Sequence, residues 1–460
     1  MKCISWIRRV AVGGSGGNGG YVGSCGTGDA RRGLVLRRHA APHAMPRMQR
    51  AAGRWRAMLA GMALIVGSHA APAHDMRNMP GMHAGASGDE TCVDLSLKCA
   101  SAATPFLDAR GKLWLAWSAG GAVSIASSVD GGRHFSAPIV IGRYGSRLDA
   151  GVEAHPQLAV DEKGRMVVAY SVFKDKNWNA QVWVATSADG RAFSAPHPIS
   201  RAAASQRFPV LAFSRDGTLF AAWIDKRTVV QAGKRGLVQP GAAIAYAWSR
   251  DAGGTFSGEA IGEDHTCECC RLDAAVDGAG RPVVLFRKIY GVDERDHAVL
   301  TFSQDHAPLP ARRVAVDRWH IEGCPHHGPA LAVSADGAWH AAWMTGGEAR
   351  QGLFYARSTD EGRSFSAPQP VGDDERQAGR PSLLARGASV WLAWKEFDGE
   401  RILARVRHSS DAGRTWSPDR TIEAVQGYAD RPLLAGDGKR VYLSWLTREH
   451  GYRLIELDAS

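Results

Sequence analysis

The sequence has no long apolar run. Its longest, Met58 to Gly67, is about ten residues, too short to cross a bilayer as a helix. No membrane span is therefore expected in the mature chain. Several catalytic signatures are missing as well. No Gly-rich phosphate loop follows a strand and opens a helix, no G-x-S-x-G nucleophile motif is present, and the histidines lack metalloprotease spacing. A basic excess is also missing from most of the chain, despite a formal charge of +10. Residues 1–73 hold eleven Lys/Arg against Asp29 alone, and the remaining 45 basic and 45 acidic residues cancel. Nucleic acid is not an expected partner. Cysteine is scarce, with eight in 460 residues.

What is present begins with an export signal. From Met45 the chain carries a basic stretch, the apolar run and then small residues, with Ala71 and Ala73 at an A-x-A cleavage site. Residues 45–73 are read as the signal, and residues 1–44 as a disordered leader or a misassigned start. The mature protein is expected to be exported, periplasmic or secreted, where disulfides persist. Residues 74–91 then form a tail that reads "HDMRNMPGMH" at its start, with His74, Met76, Met79, Met82 and His83. It is broken by Gly and Pro and lacks helical periodicity. Thioethers select Cu(I) over hard cations, and the segment resembles Met/His-rich segments of periplasmic copper-handling proteins.

The rest, 92–460, is one repeating pattern: a Pro, a short apolar strand, a Gly-containing turn and a strand ending in an aromatic. It recurs as "TPFLDARGKLWLAW", "HPQLAVDEKGRMVVAY", "FPVLAFSRDGTLFAAW", "RLDAAVDGAGRPVVLF", "GPALAVSADGAWHAAW", "RPSLLARGASVWLAW" and "RPLLAGDGKRVYLSW". The period of 51 to 63 residues suits one four-stranded unit per repeat. A second signature follows the third strand: "SVDGGRHF", "SRDAGGTF", "STDEGRSF", "SSDAGRTW" and the shorter "SADGRAF", with a worn "SQDHAPL" in unit four. Its Ser and Asp suit hairpin-turn hydrogen bonds, its Gly a positive φ, and its aromatic a plug between sheets. The acids are Asp130, Asp189, Asp251, Asp360 and Asp411. They are read as structural. Trp117, Trp223, Trp343, Trp394 and Trp445 close the second strands in register and are expected in the core.

These motifs resemble the sialidase-like, or BNR/Asp-box, β-propeller superfamily over the whole mature chain beyond the tail. The resemblance implies an all-β propeller of four-stranded blades around a channel. Seven blades are expected, with six as the alternative, and a strand near "CVDLSL" is expected to complete the last. The resemblance also implies a test for activity. Catalytic members carry three arginines that clamp a substrate carboxylate, a Tyr activated by a Glu, and an Asp acid/base. The usual first Arg-Ile-Pro is "AATPFLD" here. Arg207, Arg271, Arg380 and Arg431 do stand at the starts of inner strands, as a ligand clamp or as inter-blade ties. Tyr428 is the sole tyrosine near such a position. The balance is against an enzyme. If the protein is one, it is a sialidase-type glycoside hydrolase.

One feature of the lead-in loops repeats between units four and five. Aligned on their inner strands, "CECCRLDAAV" falls against "CPHHGPALAV". Cys267, Cys269 and Cys270 thus match Cys324, His326 and His327, and adjacent blades would bring them together. Two readings stand. Six cysteines follow the signal, which allows a fully oxidised framework with Cys92–Cys99 as one bridge. Thiolates and imidazoles also suit a soft metal, copper before zinc, and disulfides leave the histidines unexplained. The expected role is copper binding at this site, supplied by the Met/His tail. The alternatives are glycan hydrolysis or recognition at the channel mouth, and a protein-binding adaptor.

Overall fold

The computed structural model describes residue 92 and residues 94–457. The leader, the signal, and His74, Met76, Met79, Met82 and His83 of the tail lie outside the described residues. Every repeat is an antiparallel meander. Unit one runs Ala100–Leu107, Leu113–Ala119, Ala122–Ser128 and Ile139–Arg143, hydrogen-bonded in that order. The later units open on Gln157–Val160, Gln206–Phe213, Asp273–Val276, Ala330–Val333, Gly379–Arg386 and Leu433–Gly436. A single pair, Thr266 with Lys288, joins the sheets of units three and four. First strands of successive units lie against one another in sequence order, and that of unit seven lies against that of unit one. The fold is all-β and propeller-like.

Second strands explain the apolar runs. "LWLAWSA", "LFAAWID" and "VYLSWLT" are buried along their whole length, as strands covered on both faces must be. Each apolar cluster is shared by two neighbouring units. Units two and three meet through Val167, Val184, Leu219 and Trp223, and units five and six through Tyr355, Leu392 and Trp394. Leu115, Trp117 and Leu446 join unit one to unit seven. The register tryptophans are buried as expected. Each indole N–H is hydrogen-bonded, for example Trp223 to Asp225 at 3.0 Å and Trp394 to Glu396 at 2.7 Å.

Among the described residues, the expected strand at "CVDLSL" is not formed: Leu97–Cys99 is a single 3-10 turn, and unit seven has the three strands Leu433–Gly436, Val441–Thr447 and Gly451–Leu457. The cause is covalent. Cys92 and Cys99 are disulfide-bonded with Cα atoms 5.5 Å apart, whereas seven extended residues span roughly 23 Å. The looped segment still packs on the last strand and second strand of the ring closure, with Leu95 accepting the Trp117 indole N–H at 2.8 Å.

The Asp-box turns follow their expected chemistry. In unit six, Ser409 donates to Asp411 at 2.7 Å and accepts from the Gly413 N–H at 2.8 Å. Asp411 in turn accepts the Thr415 N–H and hydroxyl at 2.9 and 2.7 Å. The same pattern recurs at Asp130, Asp251 and Asp360. Unit two's shorter box has Asp189 accepting from Arg191 instead, at 2.9 Å. Gly413 sits at φ +76, and a Cβ there would lie 1.8 Å from the Tyr355 hydroxyl, so only glycine fits. Donors from the Ser364 side chain and backbone hold Asp360 down to about 2. In a meander, these turns share one end of the sheet with the first hairpin. The lead-in loops and the second-to-third connections occupy the other end.

Candidate soft-metal centre in the lead-in loops

The lead-in ends of the inner strands gather polar residues from distant units. Glu153, ahead of unit two, faces Arg271 of unit four at 3.3 Å and Arg380 of unit six at 3.8 Å. It also accepts the Gly328 N–H at 3.1 Å, ahead of unit five. Arg271 continues to the Gly328 and Pro381 carbonyls at 3.0 and 3.2 Å. Arg207 makes a bidentate pair with Asp149 at 2.8 and 2.9 Å. Burial, and then the nearby Arg271, brings Arg431 down to about 10. Next to these, His155 and Asp430 form a fully buried pair at 2.9 Å. The Thr104 hydroxyl lies 3.3 Å from the other ring nitrogen, and Ala103 N–H donates to Asp430 at 3.1 Å. Burial pushes His155 below its ordinary value, which favours neutral imidazole.

Three of the four arginines anticipated at the mouth, Arg207, Arg271 and Arg380, therefore pair with the chain's own carboxylates, while Arg431 lines the pocket beside them. Asp149, Glu153, His155 and Asp430 were missed in the sequence. A signal existed: His155 precedes Pro156 as Arg380 precedes Pro381. A small polar pocket remains, lined by Glu153, His155, Gln157, Ser171, Asp273 and Arg431 among others. Tyr428 donates its hydroxyl to the Ser101 carbonyl, and burial raises it well above its ordinary value. It is not poised as a nucleophile.

The thiol cluster lies in the lead-in loop of unit four. Cys267, Cys269 and Cys270 are 1%, 4% and 2% exposed and form their own buried cluster. The Cys267 sulfur lies 3.6 Å from that of Cys269 and 3.5 Å from that of Cys270. A disulfide needs about 2.05 Å, so these sulfurs are not bonded. Thiolates around one tetrahedral metal at about 2.3 Å stand roughly 3.8 Å apart, which is close to the spacing seen. Cys324 is exposed and free. Together with Cys269 and His326 it forms a second group whose ligand atoms lie within 4.8 Å of one another.

Local backbone and charge shape this centre. The Cys267 N–H donates to the Arg287 carbonyl at 2.9 Å, which ties the loop to unit four's second strand. Arg295 donates to the Cys267 sulfur at 3.5 Å and to the Gly323 carbonyl at 2.6 Å, bridging the two loops. Arg287 is buried over the Trp319 ring, 4.3 Å from its centroid. Its Nε and Nη1 have no hydrogen-bond partner among the described residues. Hydrogen bonds with Cys269 and Cys270, helped by Arg287, hold Cys267 well below the ordinary thiol value. The same contacts push Cys269 and Cys270 up. A metal that bound these sulfurs would displace the remaining thiol protons into solvent.

Burial lowers His326, keeping a neutral ring with lone-pair capacity. His327 is placed differently. It packs 3.2 Å from the Cβ position of Gly379, and it belongs to neither ligand group. Adjacent residues on one strand lead-in point apart, so the matched pair of histidines splits. His265 is likewise outside both groups. One longer connection abuts the centre. Residues 226–241 of unit three carry the helix Arg227–Lys234, and Lys226 pairs with Glu268 between the cysteines. Gly241, at φ +72, lies where a Cβ would sit 2.3 Å from the Thr266 carbonyl oxygen.

No family model matches the sequence, and no curated protein sequence matches it. Solved structures do. A polysaccharide lyase of family PL25, an ulvan lyase, superimposes with a TM-score of 0.52 at 12% identity, covering 78% of this chain and 94% of that one. The ulvan lyase bound to -[GlcA(1-4)Rha3S]- gives 0.51 at 12% identity, over 79% of this chain and 96% of that one. A Hadza microbial sialidase gives 0.44 at 14% identity, over 75% and 76%. At such identities the likeness to the lyases is one of fold: the chain shares its all-β architecture with proteins that act on glycans.

Proposed function

We propose that this is an exported, seven-bladed β-propeller that binds a soft metal ion, Cu(I) foremost, through its cysteine-rich lead-in loops. The single observation that carries the reading is the set of three buried, unbonded sulfurs at 3.5 and 3.6 Å. Thiolate ligands select Cu(I) or Zn(II). A group of three sulfurs leaves zinc short of its usual fourth ligand, which favours copper. The seven-blade count is supported by seven units whose first strands close on one another. The Cys92–Cys99 bridge agrees with an oxidising compartment. The Met/His tail precedes Cys92 and is assigned to copper supply.

The test is competition. Reduced protein, kept anaerobic, should withdraw Cu(I) from a chromogenic chelator, and Cys267→Ser should withdraw less. Copper that stays on the chelator, or four oxidised sulfurs in protein from the export compartment, would overturn the reading. A second reading is glycan recognition at the channel mouth. The disaccharide bound in the ulvan lyase and the polar pocket favour it. Glu153 and Asp149 stand against it, because they already occupy Arg207, Arg271 and Arg380 and leave Arg431 as the arginine an acidic sugar would use. Calorimetric binding of an acidic oligosaccharide, lost in Arg431→Ala, would support it.

A further inference from the structure

The two ligand groups overlap on one atom. Cys267, Cys269 and Cys270 form the first, and Cys269, Cys324 and His326 form the second. Within each, every ligand atom lies within 4.8 Å of the others, yet the four sulfurs do not make one such group. A single tetrathiolate ion would need every pair at roughly 3.8 Å. The arrangement suits two neighbouring ions that share a ligand.

We propose that the centre holds two Cu(I) ions bridged by the Cys269 thiolate. This rests on the soft-metal reading above. The inner ion takes Cys267, Cys269 and Cys270, and the outer ion takes Cys269, Cys324 and His326. Burial separates their roles. The inner ligands are all buried, whereas Cys324 is exposed and His326 half-buried. The outer ion is the exchangeable one, and the inner ion is reached through it.

Charge supports monovalent ions. Four thiolates with two Cu(I) leave two negative charges. Arg295, 3.5 Å from the Cys267 sulfur, and the buried Arg287 supply two positive ones. Two divalent ions in the same ligands would leave both arginines uncompensated, and the buried Arg287 is the one that low-dielectric surroundings penalise. Coordination releases the protons of the remaining thiols.

The experiment is an anaerobic Cu(I) stoichiometry on the full chain and its variants, with copper bound by the tail cancelling in each difference. Cys269→Ser is expected to lose two equivalents relative to the parent. Cys324→Ser and His326→Ala, at exposed or half-buried positions that the fold does not need, are each expected to lose one. X-ray absorption of the loaded parent should add a short metal–metal vector, absent in Cys324→Ser. If Cys269→Ser and Cys324→Ser lose the same single equivalent, the two-ion site is overturned and a one-ion site stands. If no variant loses copper, the soft-metal reading fails with it.

Discussion

The two ends of the strands differ in how they were built. At the Asp-box end, unit after unit repeats one turn: a serine, an aspartate four residues ahead of its last acceptor contact, and a glycine at positive φ. At the lead-in end the loops differ, apart from the register shared by units four and five. One carries Glu153 and His155, the next Arg207, then three cysteines, then Cys324 and His326, then Arg380, then Asp430 and Arg431. The repeated end fixes the hairpins one unit at a time, with partners never more than a few residues away. The varied end ties units far apart in sequence, as when His155 meets Asp430. The uniform copies hold single hairpins; the varied loops tie units together and carry the thiol cluster.

Breaking the lead-in network should have the largest effect on stability. Asp430→Ala leaves His155 and the Ala103 N–H without their buried partner, at a cost of about 1–3 kcal/mol for each orphaned donor. Denaturant unfolding checks this, and a loss under about 1 kcal/mol would mean that the pair does not hold units one, two and seven together. Breaking an Asp-box is local. Ser409→Ala removes one bond to Asp411 and one from Gly413, and should cost about 1–2 kcal/mol while Cu(I) uptake stays unchanged. A fall in copper binding with it would erase the contrast between the two ends.

The smallest effect is a pH dependence. Asp360 is depressed from an ordinary 3.8 to about 2, so its folded form favours the carboxylate. Its contribution to stability is complete above pH 3.8 and is lost as pH falls towards 2. Acid titration of unfolding should therefore steepen in that window. Asp360→Asn should flatten it, and a profile unchanged by that variant would remove the turn from the account.

How much of this could be read from the sequence follows the same divide. The Asp-box and the "LWLAW" strands were legible because local hydrogen bonding and two-sided burial write themselves into short repeated patterns. The convergence of Cys267, Cys269 and Cys270 with Cys324 was legible because register carries across neighbouring units. The carboxylates were not. Asp149, in the short strand Leu148–Asp149, and Glu153, in the turn after it, lie outside the repeat, and pairing with Arg207 or Arg271 depends on the fold bringing units two, three and four together. His327 was misplaced because register gives position along a strand and not the side to which a ring turns. The last-unit strand failed because a seven-residue disulfide loop outweighs the pattern of "CVDLSL".

The central claim concerns sulfur as the ligand. X-ray absorption at the copper edge of anaerobically loaded protein should give a first shell dominated by sulfur at roughly the 2.3 Å of a metal–thiolate bond, and Cys267→Ser should reduce its sulfur count. A first shell made only of nitrogen and oxygen, unchanged by that substitution, would contradict the account.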